Sequence, residues 1–385
     1  MPEGQQYRFQ RRDLQLPSLI AAAAWPRAPA RSARVACFAF ALWDALCRRL
    51  FLARDWVGKS PCGAAVEMQL DECSKVRAMN INFSENFLLT YSRSAFVHVI
   101  KNVLSYLPYV KSFRNSYMGS PFGPKDQDVG AWITRRQKQI EQILSGFQDA
   151  WGDWDWIKGK SILEIGSGAD SSVPLCFVML GASAGHVSDV EDSIDFPVTA
   201  TMVDAITASL AKFNLRYEMD FPHAAYDQSR IRCHGCVTAE NLEDRFGVAS
   251  VDLIISTSVL EHVDNPELAL GQMASVLSKG GRMIHAIAMG NHCCGRGESD
   301  RLGHLYYPDW IWSAMFSNRV GHNRLRWFQW ESLFAGAGFA IDFHACANVD
   351  PVEINAHRSY LAKRFRDMSD DQLMPSYAVV CCTKI

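Results

Sequence analysis

The sequence contains no run of about 18 consecutive apolar residues, the minimum a membrane-crossing helix needs. Its best candidate, residues 34–57, is interrupted by Asp44, Arg48 and Arg49, so no integral membrane span is expected. Net charge is also nearly absent. The chain has 39 Lys+Arg against 41 Asp+Glu, so bulk electrostatics favours neither a nucleic acid nor an acidic membrane as partner. Internal repeats and low-complexity tracts are missing, which excludes a solenoid. The one CxxC, Cys233 to Cys236, lacks a second pair, and a structural zinc site needs four ligands. No metal is therefore expected, and the 12 cysteines read as buried thiols in a reducing, cytoplasmic compartment.

What is present suits an ordinary globular chain: 385 residues, 48% hydrophobic and 21% charged, enough for one large α/β domain with additions. Residues 1–60 carry ten Lys+Arg against four Asp+Glu, leaving about −8 for the remainder. Two readings of this start stand: a basic amphipathic leader or membrane-surface helix, and a poorly ordered extension outside the fold. Its four acidic residues and the Pro-containing stretch at 25–31 favour the second, so residues 1–67 are set apart. Residues 68–159 form a helical N-terminal region or cap. In it, Gly119 to Pro124 mark a loop, and Ile133, Ile140, Ile143, Leu144 and Phe147 recur at helical spacing. The Trp151, Trp154 and Trp156 cluster reads as packing of that helix onto the domain, with a lid as the other possibility.

From residue 160 strand and helix signals alternate, the signature of a parallel α/β sheet. Strands are expected at 161–165, 185–188, 230–233, 251–256, 282–288, 339–345 and 377–383. Helices are expected at 173–180, 197–213, 242–246, 267–277, 330–337 and 357–373. Gly338 is placed to stop the penultimate helix in a left-handed turn. Residues 290–326, rich in His, Cys, Arg and aromatics, read as an insertion over the carboxyl edge of the sheet.

The chemistry-bearing segments lie at strand ends. Ile162-Leu163-Glu164-Ile165-Gly166-Ser167-Gly168 runs a strand into a Gly-x-Gly turn, where missing Cβ atoms allow a ligand close to the backbone. A nicotinamide dinucleotide fingerprint wants Gly or Ala five residues after the first glycine, and Ser171 stands there. Strand two ends in Asp189, with Glu191 as the alternative if it runs two residues longer; a carboxylate there can accept both ribose hydroxyls. Thr238-Ala239-Glu240 follows strand three, and Ser256-Thr257-Ser258-Val259-Leu260-Glu261-His262-Val263 follows strand four.

In this order the motifs resemble those of class I S-adenosylmethionine-dependent methyltransferases acting on small molecules. The resemblance covers residues 160–289 closely and 327–385 more loosely. It implies a Rossmann-like, seven-stranded, mostly parallel sheet with helices on both faces and an antiparallel last strand. It implies S-adenosylmethionine as cofactor, held by Glu164, Gly166, Ser167, Gly168, Asp189, Ala239, Glu240 and Ser256. Two positions depart from the family pattern: Asp170, where a third glycine is frequent, and Thr238, where an acid usually faces the adenine. The expected reaction is in-line methyl transfer to a small metabolite or glycan-like acceptor, with His262 as candidate general base. His285, His292, His304, Tyr306, Tyr307 and His322 are further candidates around the acceptor. A nicotinamide oxidoreductase and a catalytically inactive methyltransferase-like binder remain as alternatives. Nucleic-acid methylation is disfavoured, since no Asn/Asp-Pro-Pro-Tyr motif follows strand four.

Overall fold

A computed structural model describes residues 90–102, 129–168, 171–190, 200–218, 227–291, 300–316 and 321–385. The extension at 1–67, the loop at 119–124, Asp170, Glu191 and His292 lie outside these residues. Strands β1 (Ser161–Ile165), β2 (Ala184–Ser188), β3 (Ile231–His234), β4 (Val251–Thr257), β5 (Leu277–Ala288), β6 (Phe339–Asn348) and β7 (Pro375–Lys384) form one sheet. Their order is β3-β2-β1-β4-β5-β7-β6. The first five are parallel neighbours, and β7 runs antiparallel to both β5 and β6. The order therefore reverses between β1 and β4, and open parallel sheets bind ligands at the carboxyl ends beside such a reversal.

Side chains alternate across each strand, so one strand feeds two cores. Ile162, Leu253, Ile255 and Ile284 pack under helices α1 (Val129–Ala150), α2 (Ser172–Met179) and α3 (Ala200–Tyr217). Leu163, Ile165, Ile254, Met283 and Ile287 pack on the other face, under α4 (Leu242–Phe246), α5 (Pro266–Val276) and α7 (Trp327–Gly336). Asn265 caps α5 by accepting from Leu268 N, with Pro266 at the first turn, a combination that moves the start one residue ahead of the expected 267. Gly338 takes φ +83°, the left-handed stop expected of it.

Between β5 and α7 lies α6 (Asp309–Phe316), inside the expected insertion. The single helix expected at 357–373 is not formed. Asp350 and Pro351 open a separate helix, α8 (Pro351–His357), and Ser369 forms a capping box with Gln372 at α10 (Asp370–Leu373). Between them stand a tight turn at Arg358–Tyr360 and α9 (Lys363–Arg366). Leu302, Leu305, Val349, Ile354, Leu361, Phe365 and Leu373 make a third, smaller core from these pieces and the insertion.

The tryptophan cluster is structural. Trp154 is buried against Phe147 and Phe213, while the Arg282 guanidinium lies 4.7 Å from the Trp151 ring and 4.2 Å from that of Trp156. Arg282 also makes two bonds to Asp153, at 2.7 and 2.8 Å, holding that carboxyl below its usual range. This box sits in the middle of β5 rather than at its carboxyl end, which rules against the lid reading. No described helix is long and apolar enough to cross a membrane.

Candidate functional site

The glycine turn leaves β1 with Gly166 at φ +68° and Gly168 at φ +63°, conformations that L side chains seldom adopt. A Cβ on Gly166 would overlap Val259 Cγ2 and stand 3.2 Å from its Cγ1, so the turn is wedged against the segment after β4. Gly166 N donates to Ser188 O at 2.7 Å, tying it to β2 as well. Asp189 follows directly. Its Oδ2 accepts from Gly168 N at 2.9 Å, and its backbone links β3 to the next loop through His234 O and Val237 N. The glycine turn and the acidic strand end are thus joined by a charge-assisted hydrogen bond. Glu164 is 2% exposed, on the β1 face shared with Ile162. Ser167 is fully buried, its carbonyl accepting from Arg136 Nη2 at 2.7 Å.

The other expected cofactor contacts sit differently. Ser256 turns its hydroxyl into the core, 2.7 Å from His285 Nδ1, because alternation along β4 puts it on the face of Ile254. Only its backbone is left facing the strand end. Burial depresses the His285 imidazole to about 3, keeping it neutral beneath Phe334. Ala239 likewise packs its methyl in the core, so contact from it is also a backbone matter. Thr238, at the departure from the family pattern, closes a small turn in which its N–H donates to Asn241 Oδ1 at 2.7 Å. Glu240 Oε1 accepts from Asp264 N at 3.1 Å, bracing the loop after β3 against the segment after β4.

His262 lies in a tight turn, Leu260–His262, with Glu261. Its Nδ1 is 2.5 Å from Gly321 O; a carbonyl only accepts, so Nδ1 carries the proton and Nε2 is the basic nitrogen. Burial lowers its pKa, outweighing that hydrogen bond, and favours the neutral ring. Residues 321–324 strap this turn down: Asn323 N donates to Glu261 O and its Nδ2 to Leu260 O, both at 2.7 Å. His322 is fixed as a single tautomer, Nε2 donating to Ala288 O at 2.7 Å and Nδ1 accepting from Arg324 N at 2.9 Å. His304 is fully buried, its ring 4.8 Å from that of His322.

Further out, Asp300 gathers the insertion. It accepts from Tyr306 OH at 2.9 and 3.0 Å and from Tyr91 OH, on the helical stretch 90–102. Tyr306 OH also lies 2.9 Å from His357 Nδ1, and Tyr307 OH donates to Tyr91 O at 3.0 Å. Burial and the neighbouring Asp300 raise the Tyr306 phenol far above its ordinary range. Arg326, fully buried and with no carboxylate partner among the described residues, donates instead to the carbonyls of Met289, Leu373 and Pro375. Burial lowers it to about 10.

Several of these residues were not singled out from the sequence. Arg136 sits on the polar face of an amphipathic helix, and nothing in that pattern says that it reaches 31 positions along to Ser167. Tyr91 and Asp300 are 209 residues apart, a pairing that only the fold creates. Glu261 was visible within its motif, but its complete burial was not.

The residues present suit the implied cofactor. Two left-handed glycines leave backbone exposed beside the β1–β4 reversal, and Asp189 ends the adjacent strand. Among solved structures, an S-adenosylmethionine-dependent methyltransferase from Mesorhizobium loti is 16% identical, with 61% of this chain and 98% of that chain covered, at a TM-score of 0.32. Geranyl diphosphate C-methyltransferase from Streptomyces coelicolor A3(2) is 11% identical, with 69% and 87% covered, at a TM-score of 0.35. No curated protein sequence matches the chain. The model of the methyltransferase-domain family matches residues 135–344, more than half of the chain, and sets aside the nicotinamide oxidoreductase alternative. The chain belongs to that family, the S-adenosylmethionine-dependent methyltransferases.

Proposed function

We propose that this enzyme methylates a small polar molecule, a metabolite or glycan-like acceptor, beneath a cap to which residues 300–316, residues 321–326 and the helical stretch 90–102 contribute. The observation that carries this reading is the single tautomer of His262: its Nδ1–H is committed to Gly321 O, so Nε2 is the nitrogen that can take a proton. The cofactor supplies an electrophilic methyl group on a sulfonium. Glu164, Gly166, Ser167, Gly168, Asp189, Ala239, Glu240 and Ser256 hold it, Ala239 and Ser256 through their backbones. His262 accepts the proton of an acceptor hydroxyl or amine, a contribution of about 10²–10⁴-fold in rate. The fixed imidazole of His322 and the buried Asp300 cluster shape and orient the acceptor side. Orientation of this kind supplies up to roughly 7–11 kcal/mol. The catalytic domain is residues 160–385 with its insertion at 290–326, and residues 68–159 contribute the cap.

Support for a small acceptor comes from the buried polar side chains Asn291, Asp300, His304 and His322, all on the segments that follow β5. The test is S-adenosylhomocysteine release over a panel of small hydroxyl, amine and carboxyl acceptors, alongside protein and RNA substrates. Turnover on a small molecule, lost in His262→Ala with cofactor affinity retained, is the expected result. Label transfer confined to protein or RNA overturns it, and cofactor binding without turnover on any acceptor favours the inactive-binder alternative.

A further inference from the structure

The peptide between Ser167 and Gly168 is held from its two ends by opposite charges. Its carbonyl accepts from Arg136 Nη2 at 2.7 Å, and its N–H donates to Asp189 Oδ2 at 2.9 Å. Arg136 stands on α1, 31 positions before Ser167. Three residues further along that helix, Gln139 Oε1 accepts from Arg136 Nη1 at 2.8 Å and so aims the guanidinium. Ser167 is fully buried, so water does not simply replace a bond lost at its carbonyl.

The chain itself does not fix the orientation of this peptide. Gly166 at φ +68° and Gly168 at φ +63° flank Ser167, and glycine enters left- and right-handed conformations about equally readily. The freedom that lets a ligand approach the turn is also freedom to turn the peptide over. Carbonyl and N–H point in opposite directions across a trans peptide. Turned over, the carbonyl would face the Asp189 carboxylate and the N–H would face the Arg136 guanidinium, a repulsion at each end. The two charges therefore select the observed orientation. Gly166 N and Ser167 N donate to Ser188 O at 2.7 and 3.3 Å, so the turn is tied to the end of β2, and Arg136 supplies the opposing tie from α1. The same helix has a second tie: Gln142 Oε1 accepts at 2.8 Å from the hydroxyl of Tyr377, which pairs with Ala288 at the end of β5.

We propose that Arg136 is a positioning residue for the cofactor: by holding the Ser167 carbonyl it fixes the peptide whose N–H seats Asp189, and so makes α1 part of the cofactor site. Without the guanidinium the peptide is held at one end only. The Asp189 carboxylate then loses a fixed partner, and the glycine turn samples orientations that the cofactor must reverse on binding. The loss appears in affinity, since preorganisation of a site lowers what binding has to supply.

This inference rests on the methyltransferase reading, with the glycine turn and Asp189 as cofactor ligands, and the experiment separates the two. The full chain and its variants are titrated calorimetrically with S-adenosylmethionine, with urea unfolding alongside. Arg136→Met keeps the aliphatic stem and removes every donor; roughly tenfold weaker binding is expected. Arg136→Lys keeps the charge and a donor, and should recover most of that loss. In an Asp189→Ala background the peptide is already released at one end, so Arg136→Met should weaken binding there by less than about threefold. Tyr377→Phe loosens α1 at its second tie and should leave the affinity unchanged. Unaltered affinity in Arg136→Met overturns the proposal, as does a tenfold loss that persists beside Asp189→Ala. An equal loss in Tyr377→Phe also overturns it, because the effect would then belong to docking of the whole helix. If the parent chain binds no S-adenosylmethionine, the cofactor assignment has failed and this proposal falls with it.

Discussion

Placing an alanine at Gly166 tests the wedge between the glycine turn and the segment after β4. The backbone there is at φ +68°, and a left-handed L residue costs roughly 1–2 kcal/mol. The new Cβ also overlaps Val259 Cγ2, and overpacking of a well-filled site costs typically about 1–3 kcal/mol. Gly166→Ala should therefore destabilise the protein by about 2–5 kcal/mol. The two contributions separate by a second substitution. Val259→Ala removes both methyl groups that the Cβ meets, so in the double variant only the backbone cost remains. Urea unfolding of the four proteins gives the coupling energy, expected at about 1–3 kcal/mol in favour of the pair. Additivity within about 0.5 kcal/mol would refute the wedge and leave backbone conformation as the sole reason for glycine. Calorimetry on the double variant then shows whether relieving the clash restores cofactor affinity along with stability.

Other outcomes follow from the same contacts. Asp189→Ala removes a carboxylate bonded to Gly168 N and proposed to hold the cofactor; loss of charge-assisted bonds worth about 1.5–3 kcal/mol predicts roughly 10–150-fold weaker S-adenosylmethionine binding by calorimetry. Glu261→Gln should change the pH dependence of stability. A carboxyl raised from 4.5 to about 8 in the folded state costs nothing below pH 4.5 and destabilises progressively as pH rises to 8, by about 5 kcal/mol at full extent. Thermal scans should show the variant gaining on the parent between pH 5 and 8 and levelling above that; parallel curves would contradict it. Arg326→Met strands the Met289, Leu373 and Pro375 carbonyls and should lower the melting temperature at every pH, whereas an unchanged midpoint would show that water replaces the guanidinium.

The parallel half of the sheet could be read from the chain because each of its strands is buried on both faces and ends in a turn with its own chemistry. Ile162 to Gly168 and Val251 to His262 carry both signals at once, so strand and candidate site were read together. The β1–β4 reversal then explains why these two segments meet. What could not be read depends on distance along the chain or on local capping. The pairing of Ser256 with His285 needs the register of β4 on β5, which periodicity alone does not supply. The misread helix at 357–373 shows the other limit. Its apolar spacing is helical, yet Ser369 and Gln372 cap a new start within it, and a short cap of that kind outweighs a weak period. Residues 321–324 looked like a polar insertion; their use as a strap over the Leu260–His262 turn rests on backbone carbonyls, which no side-chain pattern announces.

The bond between Tyr91 and Asp300 also sets an order of events during synthesis. A ribosome adding about 5–20 residues per second needs roughly 10–40 s to cover the 209 positions between them. Through that interval the segment at 90–102 has been made but its partner has not, and the parallel strands can assemble beneath it in the meantime. The cap can thus close only after β1 to β5 have been made, and a chain stopped before residue 300 would carry the glycine turn, Asp189 and His262 without Tyr91's anchor.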